Sequence, residues 1–169
     1  MTSRKGTAPS SHAAARRLVL ERTYQASLEA VWELWTTPEG IEAWWGPSGF
    51  EVKVRKLDLL SGGKLLYAMT ATAPAQIDFV KSAGIPVTLE MHITYTEVVP
   101  QRRLAFTHRA DFIPGVAPYD VATSVDLYPS DRSVRMVLTF DAMHDEEWTR
   151  RTVMGWESEL GKLAKVLGT

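Results

Sequence analysis

Apolar and polar residues alternate along seven stretches of the chain, and a period of two is typical of strands with one buried face. The first stretch covers Leu18 to Tyr24. The second begins at Phe50, and its phase slips near Lys56, which predicts a β-bulge. The remaining stretches follow one another, mostly through short turns, up to Phe140. This order predicts one antiparallel sheet built largely as a meander.

Helical patterns occur between the first two strands and after the last strand. Ser27 and Thr37-Pro38 are suitable starts for two short helices between the first and second strands. From Asp145 onward, apolar residues recur every three or four positions up to Leu167, and Gly168 follows as a helix end. A straight helix cannot touch a twisted sheet along its full length, so we expect an elongated cavity between the two.

Residues 73–86 break the alternation and predict an inserted loop with a helical turn over 76–82. Near the cavity, the patterns also predict that Glu97 shares the concave sheet face with Tyr95. Of the adjacent Trp44 and Trp45, only one is expected to point inward.

Composition narrows the classes of protein. The 169 residues carry a net charge of −1, which excludes a generally basic nucleic-acid binder. No apolar run approaches the roughly 20 residues that span a membrane. The chain has no cysteine, which excludes disulfides, a thiolate zinc site and a cysteine nucleophile. We expect a cytoplasmic protein.

The amino-terminal segment differs from the rest. Residues 1–16 are small, polar and basic, without apolar periodicity, and are predicted to form a disordered tail. Residues 17–169 are predicted to form a single domain.

Several short segments between Arg17 and Leu167 resemble a known family by their content and order. They are Arg22-Thr23-Tyr24-Gln25-Ala26, Val31-Trp32, Ile41-Glu42-Ala43-Trp44-Trp45-Gly46-Pro47, Asp58-Leu59-Leu60-Ser61-Gly62-Gly63-Lys64, Tyr95-Thr96-Glu97-Val98-Val99-Pro100, Arg103-Leu104-Ala105-Phe106-Thr107 and Gly155-Trp156 with Leu160 and Leu163. Together they resemble the SRPBCC, or START-like, superfamily, and within it the family named after the activator of heat-shock-protein-90 ATPase.

The resemblance implies an α+β helix-grip fold, in which a curved antiparallel sheet wraps around a long C-terminal helix. Such families include binders of apolar small molecules, cyclase-like or hydrolytic enzymes, and co-chaperone domains. Family members usually have a short Gly-rich hairpin where this chain has residues 73–86. We expect this insertion to control entry to the cavity rather than the fold.

Twelve side chains on the concave strand face, on the inner face of the long helix or at the end of the second short helix are candidates for ligand binding: Trp45, Tyr67, Met69, Met91, Tyr95, Phe106, His108, Thr123, Met136, Trp148, Thr152 and Trp156. Most are aromatic or flexible apolar residues, which suit an apolar pocket. His108 is either a hydrogen-bonded core residue or a functional group of the cavity, acting as a polar handle for the ligand or as a general acid or base. No residue is assigned a catalytic or metal-binding role.

These features predict binding of a small hydrophobic or aromatic ligand, without a metal or an obligatory cofactor. Two alternatives stay open. One is a cyclase- or hydrolase-type enzyme that uses the same cavity, and the other is an interaction module related to the ATPase activator. No nucleic-acid partner is expected, and the choice between a monomer and a homodimer is left open.

Deletion of residues 1–16 should leave the melting temperature within about 2 °C of the full chain, because no apolar contact is expected to be lost. Thermal unfolding followed by circular dichroism measures the effect. A decrease of ten degrees would show that this segment contributes to the folded core.

Overall fold

The computed structural model describes residues 16–169. In chain order its elements are β1 (Arg17–Tyr24), α1 (Leu28–Thr36), α2 (Pro38–Trp44), β2 (Phe50–Leu57), β3 (Lys64–Ala71), α3 (Pro74–Ser82), β4 (Thr88–Val99), β5 (Arg103–Ala110), β6 (Tyr119–Pro129), β7 (Val134–Asp141) and α4 (Glu146–Leu167). The predicted order of strands and helices is confirmed. Of the predicted tail, 1–16, residues 1–15 lie outside the described residues, and Arg16 O accepts a hydrogen bond from Ala142 N–H at 2.7 Å.

The seven strands form one antiparallel sheet in the order β1-β7-β6-β5-β4-β3-β2. Strands β2 to β7 follow one another as the predicted meander, and β1 pairs with β7 at the other edge. The sheet and the long α4 give the helix-grip arrangement that the sequence predicted. None of the helices in residues 16–169 is both long and apolar enough to cross a membrane.

The two short helices begin at the predicted caps. Ser27 Oγ accepts a hydrogen bond from Ala30 N–H at 3.1 Å, and Thr37 Oγ1 accepts one from Gly40 N–H at 3.0 Å. Both hydroxyls satisfy amide groups that have no partner inside the helix. The helices therefore end and restart at Thr37 without leaving these two amides unpaired.

The prediction that only one of Trp44 and Trp45 points inward is wrong, since both side chains are buried. Trp44 is the last residue of α2, and its indole N–H donates to Leu34 O at 2.7 Å. Trp45 is already extended, with φ −66° and ψ 147°. This break in the helix lets both rings enter the core, where their centroids lie 5.0 Å apart in an edge-to-face arrangement.

Two bulges set which side chains face the helix. The register shift in β2 falls between Val54 and Lys56, as the phase slip predicted. A second shift, between Tyr95 and Glu97 in β4, was not predicted. It places Glu97 opposite Ala105 on the outer face, where its carboxylate accepts from Arg103 Nε at 2.9 Å. The prediction that Glu97 shares the concave face is therefore wrong, because Thr96 is an extra residue.

Helix α4 is capped and seated as expected. Asp145 Oδ1 accepts from Trp148 N–H at 2.8 Å, and Gly168 ends the helix in the left-handed conformation. Toward its C-terminal end, Leu160 and Leu163 are fully buried in the main core together with side chains of β6 and β7. This end of α4 packs directly on the sheet.

The insertion forms a regular helix, α3, which is longer than the predicted turn over 76–82. Its Val80 and the following Ile85 are buried together with Ala71 in a second, small apolar cluster. The insertion is thus anchored to the end of β3 by its own contacts.

Candidate functional site: a cavity between the sheet and α4

A cavity of about 250 Å³ lies between the concave sheet face and α4. Its walls come from β2 to β5, the N-terminal two-thirds of α4, the insertion and three loops. The lining side chains that the candidate list lacked are Pro47, Phe50, Phe79, Val80, Ile85, Leu89, Ile93, Phe112, Met143, Arg151 and Glu159, with Gly155 on α4. The predicted location of the cavity agrees with the structure.

Nine of the twelve candidate side chains line this cavity: Trp45, Tyr67, Met69, Met91, Phe106, His108, Trp148, Thr152 and Trp156. They come from the end of α2, from β3, β4 and β5, and from α4. The periodicities of two in the strands and of three to four in α4 therefore bring these residues to one place.

The other three candidates, Tyr95, Thr123 and Met136, are buried but are not among the lining residues. Met136 on β7 belongs to the packed core that Leu160 and Leu163 of α4 fill. Alternation in a strand identifies the face of a residue, but it does not give the separation between that face and the helix. These three assignments to the cavity wall are corrected here for that reason.

Aromatic rings form the inner end of the cavity. The Trp45 ring lies 5.9 Å from the Trp156 ring and 6.2 Å from the rings of both Tyr67 and Phe106, measured between centroids. Behind them, Trp35 contacts Trp45 edge-on at 5.4 Å. Mutual edge-to-face packing fixes these rings, so the inner end of the cavity is preformed.

Glu159 is the unexpected polar group in this wall. Its Oε1 accepts a hydrogen bond from Gly46 N–H at 2.7 Å, and Lys162 Nζ donates to Gly46 O at 2.9 Å. Gly46 has φ 85°, a conformation that favours glycine, and this allows both of its backbone groups to face α4. The loop after Trp45 is thereby held against the helix.

Burial raises the pKa of the Glu159 carboxyl to about 7, although the Gly46 N–H and the Lys162 ammonium both oppose the shift. The group is therefore close to half-ionised at neutral pH. The sequence contains a signal that Glu159 lies on the cavity side of α4. Trp148, Thr152, Gly155 and Glu159 follow one another at spacings of four, three and four, which is one helix face.

His108 lies on β5 opposite Ile93 and lines the cavity. Burial lowers the pKa of its imidazole to about 4, and the Asp120 carboxylate opposes this only weakly. The ring is neutral at physiological pH and offers one donor and one acceptor nitrogen. These properties match the predicted polar handle better than a charged acid–base group.

The outer end of the cavity is closed by contacts between α3 and α4. The Arg151 guanidinium lies 5.1 Å from the ring centroids of both Phe79 and Trp148, a cation–π arrangement on two rings. Glu147 pairs with the same guanidinium at 2.8 Å. Arg151 thus joins the insertion to α4 at the mouth.

Across residues 16–169, no three His, Asp or Glu side chains come together as a group that could hold a metal ion. The titratable side chains in the cavity wall are those described above, together with Tyr67, whose pKa burial raises.

The family model described as "Activator of Hsp90 ATPase homolog 1-like protein" matches residues 25–168. The chain belongs to this family. The match extends from the end of β1 to the C-cap of α4 and so includes every lining residue of the cavity. The resemblance stated from the sequence segments is confirmed.

Several solved structures share this fold. A protein from Chromobacterium violaceum has 24% sequence identity and a TM-score of 0.75, over 90% of this chain and 97% of that chain. The AHSA1 protein from Silicibacter pomeroyi has 23% identity and a TM-score of 0.69, over 90% and 98%. A protein from Arthrobacter aurescens has 21% identity and a TM-score of 0.71, over 92% and 87%.

The comparison with curated proteins gave no match. At these identities the structural neighbours of this activator-like chain support its fold, and its function has to be argued from the cavity.

Replacing Glu159 with Gln should change how stability depends on pH. The folded-state pKa of Glu159, about 7, lies above the ordinary carboxyl value of 4.5, so the wild-type chain loses stability as pH rises between these values. The Gln variant lacks this loss. We expect its stability relative to wild type to rise by on the order of 2 kcal/mol from pH 4.5 to pH 8.

Urea unfolding at several pH values measures this difference. The control is Glu157→Gln, which removes the same charge from an exposed position paired with Arg22. The control should show a flat or opposite trend. A flat trend for Glu159→Gln would show that this carboxyl ionises without a penalty from burial.

Proposed function

We propose that this activator-like protein binds a small, mainly apolar ligand in the cavity between the sheet and α4. The observation that carries the proposal is the composition of the wall, in which fixed aromatic rings and flexible Met side chains surround about 250 Å³ with few polar groups. Pockets that bind small molecules combine an apolar wall with a few polar groups that orient the ligand. Here the candidates for orientation are His108, Tyr67 and Glu159.

One observation favours the alternative that the protein is an enzyme. The sequence identified only His108 as a titratable group in the cavity, and the structure adds Glu159. However, Glu159 is bonded to Gly46 N–H, and the imidazole of His108 is neutral down to a pH of about 4. A neutral imidazole and an amide-bound carboxyl support orientation of a ligand more directly than proton transfer.

The interaction-module alternative has less support. Large exposed apolar side chains in the described part of the chain are spread over β1, the β2–β3 turn, α3, β6 and α4, as Val19, Leu60, Phe79, Tyr128, Met154 and Val166. A docking surface for another protein would require several of them in one contiguous patch. We therefore prefer the cavity as the functional site.

Replacing Gly155 with Leu should prevent binding while the chain still folds. A Cβ atom at Gly155 would meet only Pro47 Cγ, at 3.9 Å, and the longer side chain would extend into the cavity. We expect the affinity for the neutral fluorescent probe N-phenyl-1-naphthylamine to fall at least about tenfold, because the probe loses the volume that it fills.

The control is Gly161→Leu, on the same helix, where a Cβ atom would meet nothing within 4 Å and which is not a lining residue. This control replaces a helical glycine by leucine, so its helix propensity increases as much as in Gly155→Leu. It should bind the probe with the affinity of the wild-type chain. Equal binding by both variants would place the ligand elsewhere. Severe destabilisation by Gly155→Leu would mean that the interior near Gly155 is packed.

Replacing Phe79 with Ala should open the mouth. Phe79 is 39% exposed, so its loss costs little stability, but it removes one of the two rings that hold Arg151. We expect the probe to dissociate about threefold to tenfold faster in stopped-flow measurements, because a loosened lid sets the rate of exchange. Met154→Ala, at an exposed position of α4 outside the cavity wall, is the control. An unchanged rate would refute the lid role of the insertion.

A further inference from the structure

Two side chains with formal charge, Arg151 and Glu159, line the cavity, and within residues 16–169 only Arg151 of the two forms an ion pair. Arg151 is paired with Glu147 at 2.8 Å. Glu159 accepts from the neutral amide of Gly46, while the ammonium of Lys162 donates to the carbonyl oxygen of the same residue. Within residues 16–169, the ion pairs of the structure join other carboxylates.

The wall therefore presents a carboxyl group without a direct cationic partner. Burying such a group in an apolar environment is unfavourable for its ionised form, and this is the cause of its raised pKa. A ligand that brings a positive charge to Glu159 would remove this penalty. A ligand that brings a negative charge would increase it.

The surrounding rings favour the same kind of ligand. Glu159 acts on Tyr67 through its charge, which places it near the aromatic inner end, where Trp45 and Trp156 lie 5.9 Å apart. The faces of indole rings attract cations, most strongly where water is excluded. The His108 imidazole is neutral, and the Arg151 guanidinium at the mouth is paired with Glu147.

We propose that the cavity selects small apolar molecules that carry one protonated amine, with the ammonium hydrogen-bonded to Glu159 and the apolar body against Trp45 and Trp156. The inference rests on the proposed function of the cavity as a ligand site, and it specifies the chemical class of the ligand. No covalent step is involved.

Three compounds of matched shape test the charge preference by calorimetry on the full chain at pH 8: 3-phenylpropylamine, 3-phenylpropanol and 3-phenylpropionate. We expect the amine to bind about tenfold tighter than the alcohol, because a charge-assisted hydrogen bond replaces a neutral one. The carboxylate should bind more weakly than either.

Two variants locate the source of the preference. Glu159→Gln should bring the affinity for the amine to within about twofold of the affinity for the alcohol. Glu157→Gln removes the same charge from the exposed side of α4 and should keep the preference. Retention of the preference in Glu159→Gln would overturn the proposal.

The pH dependence of the unmodified protein gives an independent measurement. Protonation of Glu159 removes the charge that the ammonium needs, so the amine preference should fall by about tenfold from pH 8 to pH 5.5. The other groups that face this carboxyl or line the cavity are Lys162, Tyr67, Arg151 and His108. A preference that does not change with pH would overturn the proposal, including in the case that Glu159→Gln fails to fold.

The outcomes also separate this inference from the proposed function. If the amine and the alcohol bind equally well in the wild-type chain, the cavity remains a ligand site and the amine preference is wrong. If neither compound nor the neutral naphthylamine probe binds, both proposals fail.

Discussion

The packing of a straight helix against a curved sheet is the constraint on which this structure depends. Helix α4 is 22 residues long, and Leu160 and Leu163 place its C-terminal part in direct contact with the core on β6 and β7. Once this part is fixed, the N-terminal part leaves the sheet surface over β2 to β5. Large rings fill some of this gap, and the cavity is the volume that they leave.

The loop that follows α2 holds α4 in its position relative to the short helices. Gly46 is bonded through both of its backbone groups to α4, and Ser48 N–H donates to Ser158 Oγ at 2.9 Å. These bonds fix the distance between α4 and the short helices, because the loop cannot move without losing them. The same contacts place a carboxyl group in an apolar wall, so a structural clamp also gives the cavity its polar character.

The sequence could predict most of the fold, because strands with one buried face and an amphipathic helix leave clear periodicities. It could not predict features that depend on a single extra residue or on distance. Glu97 was assigned to the wrong face because the bulge at Thr96 has no sequence signature. Tyr95, Thr123 and Met136 were placed in the cavity because a pattern gives the face and not the depth. Glu159 was missed because a charged residue between apolar positions is usually exposed.

The insertion is held by a small apolar cluster of its own, and this separation has an evolutionary consequence. Val80 and Ile85 share their buried contacts with Ala71, whereas the main core contains Trp156, Leu160 and the inner sheet face. We therefore expect substitutions in the insertion to alter the rim of the cavity more than the stability of the sheet. The entrance and the main core are then separate targets for change, and a substitution in one does not require compensation in the other.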